Sequence, residues 1–212
     1  MTNSQKIILD LCGGTGSWSK PYRDANYDVR IVTLPSQDVK TYQPPEYVYG
    51  VLAAPPCTMF SFARTNAKRK RNLEEGMETV KACLHIIWSC QYRINRDTQK
   101  YPPLKFWALE NPKAMLAWFL GKPTFEFHPY EFGDGYKKRT ALWGWFSVPK
   151  KSPTPMTKEM VALCKTNSRP LPKFDALKSK EIHGKYYGIY DRSTRRAITP
   201  AGFAEAFFKA NP

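Results

Sequence analysis

Acidic side chains are scarce in this chain: 18 Asp and Glu stand against 33 Lys and Arg, leaving a net charge of +15. A surplus of that size favours a polyanionic partner, nucleic acid above all, and the cations cluster, with Arg64 followed closely by Lys68, Arg69, Lys70 and Arg71. Long apolar runs are missing. None approaches the roughly 20 residues that a helix needs to cross a bilayer, so no membrane partner is expected. The segment MTNSQKIILDL enters a strand-like stretch without a secretion-signal pattern, which sets the expectation of a cytoplasmic protein. The five cysteines, Cys12, Cys57, Cys83, Cys90 and Cys164, include no CxxC pair and are odd in number, so neither a metal site nor a disulfide framework is expected. Internal repeats are absent, and so is the GxGxxG of a standard NAD-binding turn.

What remains fits one domain with a core. Hydrophobic residues make up 42% of 212, too many for a disordered chain, and the length allows a small appendage but not two full domains. KIILDLC (6–12), DVRIVTL (28–34), VYGVLAAP and KFWALE (105–110) read as four strands, with a GGTGSW turn and a helix start after the first. Between the last two, Met77, Val80, Leu84, Ile87, Trp88 and Gln91 fall at helical spacing, with Cys83 and Cys90 as structural residues beside that stripe. Strands alternating with helices predict an α/β fold: a doubly wound, mostly parallel sheet covered on both faces. Residues 148–190, rich in proline and lysine, read as a small loop-rich insertion between a main domain over 1–147 and a segment over 191–212 that returns to it. In that last segment Thr199 is the expected N-cap, Pro200 the first helical residue, and Phe203, Ala206 and Phe207 one face.

Two stretches carry more chemistry than a core needs. A glycine turn opening a helix, with Asp10 at the strand end, suits a nucleoside-bearing cofactor or is simply a tight turn. VLAAPPCTMFSFAR (51–64) starts as a buried strand but ends in two prolines and a cysteine. Pro55 and Pro56 lack backbone donors and stiffen the exit, which fixes Cys57 at the carboxyl end of the sheet, where open α/β folds bind ligands. A cysteine there is either a small hydrophobe or a nucleophile.

In order along the chain, DLCGGTGSW, APPCTMFS, ALENP, GYKKRTALWG and RAITP resemble successive motifs of the DNA cytosine-5 methyltransferases, covering most of residues 6–146 and 195–205. The resemblance implies a Rossmann-like methyltransferase fold, S-adenosylmethionine as cofactor, no metal, and DNA as partner. It implies cofactor contacts from Asp10, Leu11, Cys12, Gly13, Gly14, Thr15, Gly16, Ser17 and Trp18, then from Thr33, Asp38 and Val39, and from Pro55. Cytosine C5 is a poor nucleophile, so Cys57 would add to C6 and make the ring an enamine; Glu110 would hold N3, and Arg139 would contact the carbonyl oxygen. Asn111 and Pro56 complete the implied catalytic set. Base flipping follows from such a pocket, with Ser61, Arg64, Lys68, Arg69, Lys70, Arg71, Lys137 and Lys138 on the nucleic acid.

The chain departs from the family's pattern at three places. Cys12 stands where an aromatic ring usually stacks on adenine, leaving Trp18 as the candidate. Thr33 and Leu34 stand where an acid usually holds the ribose. No counterpart of the family's last motif, an Asn-containing helix that completes the cofactor pocket, is recognisable after RAITP. Two other readings keep the same residues: a cytosine C5-modifying enzyme with another donor or a nucleotide substrate, and a catalytically inactive methyltransferase-like DNA-binding protein. The insertion is short, so a short or degenerate target is expected, with Lys150 and Lys151 among the phosphate contacts. The expected setting is bacterial or phage-encoded, and the expected state a monomer.

Overall fold

Apolar residues dominate the strands of the computed structural model, which describes residues 1–62, 67–92, 104–134, 136–153, 194 and 197–212. Ile7–Leu11 (β1), Asp28–Val32 (β2), Gly50–Ala53 (β3) and Phe106–Pro112 (β4) pair in parallel. Phe125–Phe127 (β5) and Thr140–Trp145 (β6) join antiparallel, giving the order β2-β1-β3-β4-β6-β5. A short α1 (Lys20–Asp24) follows β1, a long α2 (Leu73–Gln91) joins β3 to β4, a single-turn α3 (Ala117–Leu120) follows β4, and α4 (Ala201–Ala210) lies near the end of the chain.

Strand alternation divides the core in two. Leu9, Leu11, Val51, Ala53 and Leu109 meet Val80, Cys83, Ile86 and Ile87 of α2 on one face. Ile8, Leu52, Phe106 and Ala108 meet Trp18, Tyr22, Phe203 and Phe207 on the other. Asn72 caps α2, its side chain accepting from the Glu75 N–H at 3.1 Å. At the far end of α4, Asn211 exchanges hydrogen bonds with the Ser147 backbone at 2.8 and 3.0 Å, and its carbonyl accepts from the Tyr22 hydroxyl at 2.8 Å. That residue ties α4 to both β6 and α1. The architecture is the doubly wound α/β, Rossmann-like fold that the strand and helix pattern predicts.

Three local expectations change. The connection from β2 to β3, residues 33–49, holds turns and no helix. The buried stripe of α2 runs through Val80, Cys83, Ile86 and Ile87 and leaves Trp88 68% exposed, because the sheet selects a face rotated from the one that its large apolar residues suggested. α4 begins at Ala201 with Pro200 in the cap position, so Thr199 is no N-cap; its backbone N–H donates to Ser17 Oγ at 2.9 Å instead. Ala204 is buried on α4 beside Phe203 and Phe207, and Ala206 is half-buried. Of the insertion expected over 148–190, only 148–153 lie within the described residues. Among the described residues no helix is long and apolar enough to cross a membrane.

Candidate active site at the carboxyl ends of three strands

Register brings the motif-bearing strands out side by side: Leu11 pairs with Ala53, and Ala53 with Leu109. The glycine turn, the PPC turn and the Glu110–Asn111 pair therefore meet along one edge of the sheet.

The glycine turn is built around a buried acid. Asp10 Oδ2 accepts from Ser19 Oγ at 2.5 Å, while Oδ1 is buried without a hydrogen-bond partner. Burial pushes the Asp10 carboxyl up to about 6, against the Ser19 hydrogen bond and the charge of Arg23. A Cβ on Gly13 would come within 2.6 Å of both Asp10 oxygens, so only glycine lets the turn pass over that carboxyl. Gly14, at φ +53, has no atom within 4 Å of the corresponding point and faces open space. Leu11 is buried, Thr15 exposed, and the Gly16 N–H closes the turn on Gly13 C=O at 2.8 Å. Asp38 is half-buried and accepts from the Lys40 N–H at 2.9 Å; Val39 beside it is buried, Thr33 half-buried and Leu34 exposed.

Two expectations for this turn need correction. Trp18 is 2% exposed, with its ring centroid 5.9 Å from Phe203 and 5.5 Å from Phe207, so it belongs to the core under α4 and offers no face to a ligand. Cys12, at φ +56, turns its thiol inward to Cys83, 4.0 Å away across the α2 face. The Cys83 hydrogen bond draws the Cys12 thiol down, against burial and the charges of Asp10 and Asp38.

The PPC turn is held by hydrogen bonds at the carbonyls of Pro55, Cys57, Met59 and Ser61. Buried Asn111 donates from Nδ2 to Pro55 C=O at 2.9 Å, linking the end of β4 to the exit of β3. Cys57 C=O accepts from the Phe60 and Ser61 N–H groups at 3.0 and 2.9 Å. The guanidinium of Arg71 reaches back to Met59 C=O and, at 3.1 Å, to Ser61 C=O. Arg71 was expected on phosphate; here it clamps the turn. Pro55 is buried, Pro56 exposed and Cys57 half-buried. None of the four described cysteines, Cys57 included, lies in a disulfide.

Glu110, half-buried on β4, has its carboxyl pushed up by desolvation, with the charge of Lys138 opposing. Burial and the neighbouring carboxylates of Asp134 and Glu110 also push the Tyr136 hydroxyl up. Arg139 does not join this group: its guanidinium pairs with Glu126 at 3.1 and 3.2 Å, and Glu126 also binds Lys113. The cation felt at Glu110 is Lys138, while Arg139, expected on the cytosine carbonyl oxygen, is engaged with Glu126. Lys137 is half-buried; Lys68, Arg69, Lys70 and Lys150 are exposed, Arg69 pairing with Glu75 at 2.6 Å and Lys151 with Glu131 at 2.7 Å. Arg64 lies outside the described residues.

Sequence reasoning overlooked two features here. Asn211 needed a partner 64 residues away to reveal its bracing role. Phe62 and Trp118, both exposed beside the PPC turn, read in a sequence like any core aromatics. Among the described residues no group of three or more His, Cys, Asp and Glu could hold a metal ion.

No family model matches the chain, and no curated protein matches it either. The fold is one shared with methyltransferases. A solved methyltransferase of Entamoeba histolytica, EhMeth, superposes with a TM-score of 0.50 over 97% of each chain at 11% identity, a likeness of fold alone. The human methyltransferase 10 domain containing protein, at 16% identity over 66% of this chain and 70% of its own, has a TM-score of 0.31 and is too distant in shape to carry argument.

Proposed function

We propose that the chain is an S-adenosylmethionine-dependent DNA cytosine-5 methyltransferase with Cys57 as its nucleophile and a short or degenerate target. One observation carries the reading: Asn111 locks the Pro55 carbonyl, so the residues before Cys57 and those around Glu110 are held against each other on adjacent strands. The Cys57 thiolate adds to C6 of cytosine; as the C6–S bond forms, the ring electrons move toward N3, which takes a proton from the Glu110 carboxyl. Desolvation favours the protonated acid that this step requires. The ring then carries a nucleophilic C5. After methyl transfer a base removes the C5 proton, whose pair forms the C5–C6 double bond as the C6–S pair returns to sulfur, and N3 gives its proton back to Glu110.

S-adenosylmethionine, when bound, supplies the electrophilic methyl carbon. The residues present fit it. Gly14 leaves the turn open on one side, Gly13 lets it pass over the Asp10 carboxyl, and Asp10 Oδ1 is a buried acceptor in need of a donor such as an ammonium group. Asp38 lies at the end of the turn after β2, and Ser17 Oγ accepts from the Thr199 N–H, which ties the glycine turn to the C-terminal segment.

A covalent trap tests the proposal. With S-adenosylmethionine and an oligonucleotide carrying 5-fluorocytosine, whose C5 fluorine cannot leave as a proton does, the protein should gain the mass of the oligonucleotide plus one methyl group. Cys57→Ala should form none while keeping its melting temperature. No adduct under conditions where the oligonucleotide binds would leave a DNA-binding protein without this chemistry.

A further inference from the structure

Two thiols meet beneath the glycine turn, and the chemistry above uses neither. Cys12 Sγ and Cys83 Sγ stand 4.0 Å apart, brought together from 71 positions away in the chain. Different elements hold them. Cys83 is fully buried in the middle of α2, between Val80 and Ile86 on the face that packs on the sheet. Cys12 is half-buried between the end of β1 and Gly13, and its N–H donates to Val32 C=O at 2.7 Å.

Packing alone does not account for the pair. Cys12 has φ +56, a left-handed conformation that glycine adopts freely and a side chain does not, in a turn that already uses Gly13, Gly14 and Gly16. The position carries a side chain where none is cheapest, and that side chain is a thiol aimed at another thiol. The two also differ in acidity: the hydrogen bond with Cys83 draws the Cys12 thiol down, whereas the same contact and burial push the Cys83 thiol up. Access differs in the same sense, since Gly14 beside Cys12 faces open space while Cys83 has no exposed surface. One accessible, acidic thiol backed by a buried one suits a redox-sensing pair, in which the first is oxidised and the second resolves it. A closing movement of about 2 Å separates this contact from a disulfide bond.

We propose that Cys12 and Cys83 form a redox site, oxidised to a disulfide by hydrogen peroxide or an organic hydroperoxide, and that this disulfide weakens cofactor binding at the glycine turn. The Cys12 thiolate attacks one peroxide oxygen; the S–O bond forms, the O–O bond breaks, and the leaving oxygen takes a proton and departs as water or alcohol. The Cys83 sulfur then displaces the hydroxyl of the Cys12 sulfenic acid, the S–S bond forms, and that hydroxyl leaves as water with the Cys83 proton. Two electrons pass from the thiols to the peroxide. Because Cys83 is fixed in the core and the turn is open on one side, the turn is the part that moves: Cys12 is drawn toward α2, and Gly13 leaves its place over the Asp10 carboxyl. The effect on the cofactor rests on the S-adenosylmethionine reading; the disulfide itself does not.

Stoichiometric hydrogen peroxide, followed by mass spectrometry of non-reduced peptides and calorimetry of S-adenosylhomocysteine on the same samples, tests the proposal. The peptides carrying Cys12 and Cys83 should run as one species, lighter than their sum by two hydrogens, and dithiothreitol should part them. S-adenosylhomocysteine should bind about tenfold more weakly to the oxidised protein, and by linkage a saturating amount of it should raise the reduction potential of the pair by about 30 mV. Cys83→Ser and Cys83→Ala leave Cys57, Cys90 and Cys164 in place, and both should bind S-adenosylhomocysteine as the reduced native chain does, before and after peroxide. No cross-linked peptide, an affinity that the disulfide leaves unchanged, or a peroxide-dependent loss that persists in both Cys83 variants overturns the switch. A protein that forms the cross-link but does not bind S-adenosylhomocysteine when reduced would overturn the cofactor effect together with the methyltransferase reading and uphold the redox site.

Discussion

The turns after β1 and β3 meet at one sheet edge and are built in opposite ways. In the first, a buried carboxylate oxygen has no partner and the backbone at Gly14 faces open space. In the second, Pro55, Cys57, Met59 and Ser61 each have their carbonyl taken by a named donor. An unsatisfied turn has capacity for a guest and is less stable for it; a satisfied turn holds one side chain in one pose. On the proposed function the contrast is that between a ligand cradle and a nucleophile mount, and it can be pressed by substitution.

The largest effect is expected at Asp10. Its folded pKa near 6 lies above the ordinary 3.8, so the folded state binds the proton more tightly than the unfolded chain does. Stability is then fully present below about pH 4 and declines as pH rises through 6, by on the order of 3 kcal/mol. Asp10→Asn keeps an acceptor for Ser19 and removes the ionisation. The variant should match the native chain near pH 4, exceed it in urea unfolding at pH 7.5, and bind S-adenosylhomocysteine more weakly. An Asn variant no more stable at pH 7.5 would falsify the picture of an open, strained cradle.

Asn111 tests the opposite turn. Truncation to alanine strips the buried Pro55 carbonyl of its donor and should cost about 2 kcal/mol in chemical unfolding. Because that bond also sets the pose of the residues next to Cys57, the rate of adduct formation should fall as well. Loss of stability with an unchanged adduct rate would mean that the mount does not depend on its lock.

How much of this could be read from the sequence follows from how far apart the partners lie. The strands, the glycine turn and the PPC and ENP segments are contiguous runs, and a short apolar run or a proline pair is visible within a few residues. The bond from Asn111 to Pro55 spans 56 positions, and the Cys12–Cys83 contact spans 71. No local pattern encodes either. The face of α2 was misjudged because Trp88 weighs heavily in an apolar stripe, whereas packing against a flat sheet admitted the smaller Val80, Cys83, Ile86 and Ile87. Trp18 was misplaced because the aromatic side of α4 that covers it lies at the other end of the chain. Among the cations, the run of four basic residues from Lys68 to Arg71 looks uniform in one dimension, yet Arg69 pairs with Glu75 and Arg71 with backbone carbonyls.

That last point gives the smallest and most discriminating prediction. Arg71 and Lys68 belong to the same basic run, but Arg71 is half-buried with its guanidinium on two carbonyls of the PPC turn, and Lys68 is exposed. Arg71→Ala removes charged donors from Met59 and Ser61, which should lower stability by about 1 kcal/mol and slow adduct formation, since both carbonyls belong to the turn that begins at Cys57. It should leave the salt dependence of DNA binding where it was, because a guanidinium engaged with the backbone neutralises no phosphate. Lys68→Ala should do the converse: stability within about 0.5 kcal/mol of the native chain, and a slope of log affinity against log salt shallower by about one. Paired melts and salt titrations of the two variants separate a turn clamp from a phosphate contact, and a Lys68-like salt response from Arg71→Ala would return Arg71 to the nucleic-acid surface that its place in the sequence suggested.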